Sequence, residues 1–272
     1  MLKKRLIFTL LYSSGNFYLS RNFRLQKVGS LMWLQNNYDF SKISYSIDEL
    51  VVLDVSREKR NVEEFSNVLK IITSNNFVPI TAGGGVRDIY TAHKLLRSGA
   101  DKILINSSLF TGEDFVKEIS SEFGQQCVVA SLDFKRSNSG KLQIWSENGS
   151  RLHEFSAEAL LEKVLDDKVG EVYLNSMDRD GTGQGLDFSV LELLPKVVEK
   201  PIILAGGVGN SDHILAGLHD SRIDAVATAN LFNFVGNGLS KARTALVSNG
   251  IALPLWSPMS RKIFSMRENV LD

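Results

Sequence analysis

The sequence predicts a (β/α)8 barrel, an α/β fold built here from two similar half-barrels. Two observations carry this. Short apolar runs alternate with amphipathic stretches along all 272 residues, and the second half of the chain repeats the first. Ile80-Thr81-Ala82-Gly83-Gly84-Gly85-Val86 is answered by Ile203-Leu204-Ala205-Gly206-Gly207-Val208, with Gly84 and Gly206 at an offset of 122 (206 minus 84). At the same offset Asp48-Glu49-Leu50-Val51-Val52-Leu53 falls on Gly170-Glu171-Val172-Tyr173-Leu174-Asn175. Asp101-Lys102-Ile103-Leu104-Ile105-Asn106 falls on Asp224-Ala225-Val226-Ala227-Thr228-Ala229 at 123 (224 minus 101). Units of about 120 residues exceed solenoid repeats and suit two halves of one domain. An open doubly wound sheet is the alternative, but no Gly-x-Gly-x-x-Gly follows the first strand.

Taken in order, the candidate strands are 5–11, 49–54, 78–82, 102–106, 127–133, 171–176, 201–205 and 224–229. Each is apolar on both faces, as a parallel strand covered on both sides must be. Lys3-Lys4-Arg5 before Leu6 to Leu11 has the opening of a secretory leader. The apolar run is short, no small-residue cleavage site follows, and a first buried strand explains it better. Phe65, Val68, Leu69 and Ile72 predict a helix over 62–73 by their i, i+3, i+4, i+7 spacing. A second helix starts at the N-cap Asp88 and stops before Gly99. Further helices are expected over 158–165, 188–194 and 211–218. Two longer excursions, 12–48 and 134–150, follow the first and fifth strands; the second reads as a hairpin or mobile loop. Residues 1–252 are assigned to the barrel and 253–272, with Pro254 and Pro258, to a surface tail.

Composition excludes several functions. Thirty-one basic residues balance 31 acidic ones, so no global field draws nucleic acid or an anionic membrane. No run reaches the 18 apolar residues of a span. Cys127 is the single cysteine, which rules out internal disulfides and a cysteine metal cage and suits the cytoplasm. His93, His153, His213 and His219 lack metal-ligand spacing; His93 and His213 read as repeat-related helix positions. No metal and no cofactor are expected.

The candidate chemistry lies at strand ends. Gly83-Gly84-Gly85 and Gly206-Gly207 end the third and seventh strands. Glycine lets a phosphate approach the backbone, and a following helix N-terminus offers free N–H groups. A tight turn explains one such pair; two at symmetric places point to two phosphates on one ligand. Asp133 ends the fifth strand and Asp178-Arg179-Asp180-Gly181-Thr182 the sixth, where barrel enzymes place catalytic groups. Capping or a turn is the plainer reading of the latter. The repeat partner of Asp133 is Leu11 (133 minus 122), so no acid and base pair across the mouth. At the opposite end Arg5, Glu49, Lys102 and Glu171 stand at strand starts. Bottom-face charges ordinarily serve the fold; a polar ring closing a pore is the sharper alternative.

These segments resemble the HisF family, the cyclase subunits of imidazole glycerol phosphate synthase, over roughly residues 1–252. The resemblance runs through Met1-Leu2-x-Lys4-Arg5, Ile47 to Val51, Gly83 to Val86, Gly99 to Lys102, Ser176 to Thr182 and Ala205 to Gly207. It implies a cytoplasmic subunit that takes ammonia from a HisH-like glutaminase through the barrel and delivers it to a phosphorylated substrate. It further implies substrate or phosphate contacts at Gly85, Asn106, Ser107, Asp180, Gly181, Gly206, Gly207, Ala229 and Asn230, with Asp133 as a catalytic aspartate. Arg5, Glu49, Lys102 and Glu171 would form the ammonia gate, and Asp101 would lie at the partner face. Three departures stand out: Leu11 replaces the other catalytic aspartate, Leu19 a lysine, and Asn175 a threonine. An aliphatic side chain moves no proton. The resemblance therefore points to a divergent paralogue with an intact entrance and altered chemistry, such as one supplying ammonia for amidino-sugar formation beside a separate amidotransferase. Two rivals remain: an ordinary histidine-pathway cyclase in which Asp133 suffices or Asp54 substitutes, and a scaffold that only activates the glutaminase.

Overall fold

The computed structural model describes residues 3–37, 43–74, 76–111, 113–229 and 238–254. Among these, twelve strands are β1 (Arg5–Ser13), β2 (Asn16–Arg21), β3 (Arg24–Ser30), β4 (Glu49–Asp54), β5 (Ile80–Gly83), β6 (Lys102–Ile105), β7 (Val128–Arg136), β8 (Leu142–Ser146), β9 (Arg151–Leu152), β10 (Glu171–Ser176), β11 (Ile202–Ala205) and β12 (Ala225–Thr228). The helices are α1 (Leu31–Asn37), α2 (Val62–Thr73), α3 (Ile89–Arg97), α4 (Glu113–Phe123), α5 (Ala157–Asp166), α6 (Ser211–His219) and α7 (Gly238–Ser248). Parallel pairing runs β1-β4-β5-β6-β7-β10-β11-β12 and returns to β1, which closes an eight-stranded barrel. The outer faces of the strands share one large apolar core with the surrounding helices.

Local chemistry sets the helix boundaries. Asn61, Asp88, Ser156 and Asn210 each cap a helix with a side-chain oxygen that accepts a backbone N–H. Helix α2 buries Phe65, Val68, Leu69 and Ile72, each worth about 1.5–3 kcal/mol relative to exposure. The expected helix over 188–194 is instead a 3-10 helix, Phe188–Leu193, that ends two residues before Pro195. Pro195 disfavours the α conformation at Leu194, which is extended.

The repeat reaches individual hydrogen bonds. Leu50 N–H donates to Pro79 O and Val172 N–H to Pro201 O, each at 3.0 Å. Val55 N–H donates to Tyr12 O and Met177 N–H to Phe134 O, at 2.8 and 2.9 Å. The caps correct one pairing. Asp88 accepts from Thr91 and Asn210 from His213, so Thr91, not His93, is the repeat partner of His213.

Both excursions open with antiparallel hairpins that prolong repeat-related strands. Strand β1 continues into β2 and β3, with Leu11 opposite Tyr18. Strand β7 continues into β8, with Asp133 opposite Trp145. The tail beyond residue 254 lies outside the described residues. No described helix is long and apolar enough to cross a membrane.

The glycine pairs are sterically required. Gly84 has φ +109°, and a Cβ there would lie 2.1 Å from Asp54 O. Its partner Gly206 has φ +92°, with a Cβ 2.6 Å from Ser176 O, the repeat partner of Asp54. Gly84→Ala is expected to lower the unfolding free energy by more than ~3 kcal/mol, combining left-handed strain with a backbone clash. Gly140→Ala, with φ +84° in open space, should lose only the strain, about 1–2 kcal/mol. Urea denaturation of both variants checks the difference.

Candidate active site

Strand alternation decides which side chains face the barrel axis. At the N-terminal end of the strands it brings Arg5, Glu49, Lys102 and Glu171 together. Arg5 donates to Glu49 at 2.9 Å and to both carboxylate oxygens of Glu171 at 3.1 and 3.0 Å. Lys102 donates to Glu49 at 3.0 Å and to Glu171 at 2.8 Å. The four alternate in sign around one ring, and Thr81 adds a bond to Glu49 at 2.5 Å. Burial opposes the Arg5 charge, yet Glu171 and Glu49 outweigh it and hold its pKa above the ordinary value. Burial likewise pushes Glu171 up, and Arg5 and Lys102 bring it below the ordinary carboxylate value. Asp101 is exposed beside this end, and its carboxylate accepts Ile80 N–H at 2.8 Å. Its repeat partner Asp224 does the same for Ile202 at 2.9 Å.

Above the ring the interior is apolar: Ile7, Val51, Leu104, Val129, Tyr173, Ile203 and Ala225. Beyond them the barrel opens into a cleft of about 1410 Å³ at the C-terminal ends of the strands. Asp133, Asn106, Ser107, Asp180, Gly181, Gly85, Gly206, Gly207 and Ala229 all line it, as do Leu11, Leu19 and Asn175. Asn230 lies outside the described residues.

One wall is polar. Asp133, 8% exposed, accepts from Asn106 Nδ2 at 3.2 Å and from Asn175 Nδ2 at 3.1 Å. Burial drives its pKa up to about 7, helped by Asp180 and opposed by the bonds from Asn175 and Asn106. That value suits proton transfer near neutrality in either direction. The facing wall holds Leu11, Leu19 and Leu53. Asp54, the alternative carboxylate, also lines the cleft. Alternation along β4 turns Glu49, Val51 and Leu53 inward and Asp54 outward, and its carboxylate accepts Ser56 N–H at 2.9 Å.

Asp180, which lines the cleft, also holds a hairpin. It accepts from the Ser20 hydroxyl and, at 2.9 Å, from Phe23 N–H, and so clasps the tip of the β2–β3 hairpin across the mouth. Gly181 is required here, because a Cβ would lie 1.9 Å from Ser20 O. Burial raises the Asp180 pKa against the two bonds it accepts.

A family model described as "Histidine biosynthesis protein" matches residues 37–236. The chain is 44% identical over 266 residues, 97% of its length and 98% of the relative's, to the "Putative imidazole glycerol phosphate synthase subunit hisF2" of Parasynechococcus marenigrum (strain WH8102). The chain belongs to the HisF family. The half-barrel duplication expected from that resemblance is present in this HisF-like chain down to its hydrogen bonds.

The sequence reading missed two features of the site. It noted Asn175 as a departure but not as a donor to Asp133, 42 residues away. It also missed Arg21, Arg24, Arg57 and Arg60, which line the cleft. Arg60 lies across Gly85, where a Cβ would meet its Cδ at 2.6 Å. Among the described residues no group of His, Cys, Asp or Glu is arranged to hold a metal ion.

The folded chain holds a proton on Asp133 that the unfolded chain releases between the ordinary value of 3.8 and about 7. The stability this contributes is full at low pH and declines as pH rises to about 7. Thermal melting should therefore shift in favour of Asp133→Asn, relative to the parent, between about pH 5 and about pH 8. At the other end, Glu49→Gln leaves Arg5 and Lys102 short of a buried anion and should cost about 3 kcal/mol in urea denaturation.

Proposed function

We propose that this chain is the synthase subunit of a glutamine-dependent amidotransferase. It takes ammonia from a HisH-like glutaminase through the Arg5–Glu49–Lys102–Glu171 ring and delivers it to a phosphorylated acceptor at the mouth. The reading places the complex in the cytoplasm, with a sugar nucleotide of surface-polysaccharide biosynthesis as acceptor and a separate amidotransferase alongside. The observation that carries it is the pairing of a complete charged ring with a mouth that has Leu11 opposite Asp133. The ring excludes bulk solvent, while ammonia, small and neutral, crosses an apolar interior without the cost of burying a charge. At the mouth the two glycine pairs bring backbone close to phosphate, and Asp133, pushed up to about 7, is suited to moving a proton. Imidazole ring closure by this family's chemistry calls on a second acid or base where Leu11 stands, and loss of such a group costs roughly 10²–10⁴-fold in rate.

The second reading, a histidine-pathway cyclase, draws support from the name of the similar Parasynechococcus protein and from Asp133 itself, which titrates near neutrality. One assay separates them. The histidine-pathway substrate with an ammonium salt should give no imidazole glycerol phosphate above background. The chain should nonetheless stimulate a HisH-like glutaminase from the same genome. Normal cyclase turnover overturns the proposal. If the protein only scaffolds the glutaminase, Asp133→Asn leaves the output of the complex unchanged; the proposal expects a loss of at least about 100-fold in transfer to the acceptor, with glutaminase stimulation retained.

A further inference from the structure

The hairpin tip carries a charge arrangement that works against its own stability. Arg21, the last residue of β2, is the register partner of Arg24, the first of β3. The two-residue turn between them, Asn22-Phe23, has φ of +49° and +62°, the signs of a type I′ hairpin turn. Opposed side chains on such a pair have Cβ atoms ~4.5–5.5 Å apart, and like charges there repel. Neither guanidinium has an acidic partner among the described residues.

A third guanidinium joins them. Arg57 Nη2 donates to Phe23 O in the turn at 2.6 Å. All three arginines line the mouth. The tip that carries two of them is fixed in place by the Asp180 clasp and by Asn22, whose Nδ2 donates to Met177 O and Asp178 O at 3.2 and 2.8 Å. The acids close by are engaged elsewhere: Asp180 by the hairpin, Glu147 by Arg87 and Arg151, and Asp54 by Ser56. In a chain of zero net charge, three cations lining one mouth, none in an ion pair among the described residues, define a local demand for an anion.

We propose that Arg21, Arg24 and Arg57 form a third anion subsite, separate from the two glycine pairs, for a phosphate or carboxylate of the acceptor. It rests on the reading of the mouth as the acceptor site. Guanidinium forks match both oxyanions in bidentate geometry, and an anion between Arg21 and Arg24 turns their repulsion into attraction. The acceptor class is then a compound with two phosphates and one further acidic group.

Calorimetry with two matched pairs of probes tests this. Inositol 1,4,5-trisphosphate against inositol 1,4-bisphosphate adds a phosphate; UDP-glucuronate against UDP-glucose adds a carboxylate. The third acid should tighten binding about tenfold in at least one pair, and the pair that responds names the acid. Arg21→Gln with Arg24→Gln should abolish that gain, leave the two-acid probes within about twofold, and raise the melting temperature because the like-charge pair is gone. Arg57→Gln, which lies off the hairpin, should reduce the gain as well. Absence of a gain in both pairs, or a gain that survives these variants, overturns the subsite while leaving the acceptor reading intact. Failure of the two-acid probes to bind at all overturns both.

Discussion

Closure of the parallel sheet is the constraint on which everything else depends. Once β12 pairs with β1, every second residue of each strand must point at the axis. That geometry gathers four charges, drawn from positions up to 166 residues apart, into one ring. It also stacks the apolar layer above them and aims Asp133, Asn106 and Asn175 into the same mouth. An open sheet of the same strands would leave Arg5 far from Glu171, and the ring would not exist.

The ring and the mouth use charge in opposite ways. In the ring each charge has two partners of opposite sign, so burial is compensated, and Arg5 is held above and Glu171 below its ordinary pKa. At the mouth Asp133 has only amide donors, burial wins, and its pKa climbs toward neutrality. Fixed ions suit a barrier, and a group near its titration point suits proton transfer. The two halves of the duplication have diverged along the same line. The glycine pairs and strand-end hydrogen bonds are kept in both, because backbone geometry requires them. Positions 11 and 133, which carry no such requirement, now hold a leucine and an aspartate.

Much of this was legible in the chain. Strands β4 and β10 match the expected boundaries, and the others shift by one to three residues at their ends. Asp88 caps α3 as its position implied. The glycine pairs, and Glu49 with Glu171, were legible because the repeat set each beside a counterpart; Arg5 and Lys102 were legible only as charges at strand starts. The hairpins were less so. Residues 12–48 read only as a long excursion, since the turn Asn22-Phe23 holds a residue that disfavours positive φ. Bonds to Asp180, 157 residues away from Phe23, and from Asn22 to Met177 and Asp178 hold that turn in place. The short helix at 188–193 followed helical periodicity until Pro195 set its end.

The sequence by itself determined the fold, the duplication and the leucine, at position 11, that answers Asp133 in the repeat. These follow from local rules: apolar periodicity, glycine where φ is positive, and the identity of one side chain. Only the tertiary structure decided that Asp180 holds a hairpin, that Asn175 and Asn106 hold Asp133, and that Arg21, Arg24 and Arg57 line one mouth. Those contacts join residues on separate loops, and the distance between loops is set by the closed sheet beneath them, not by spacing along the chain.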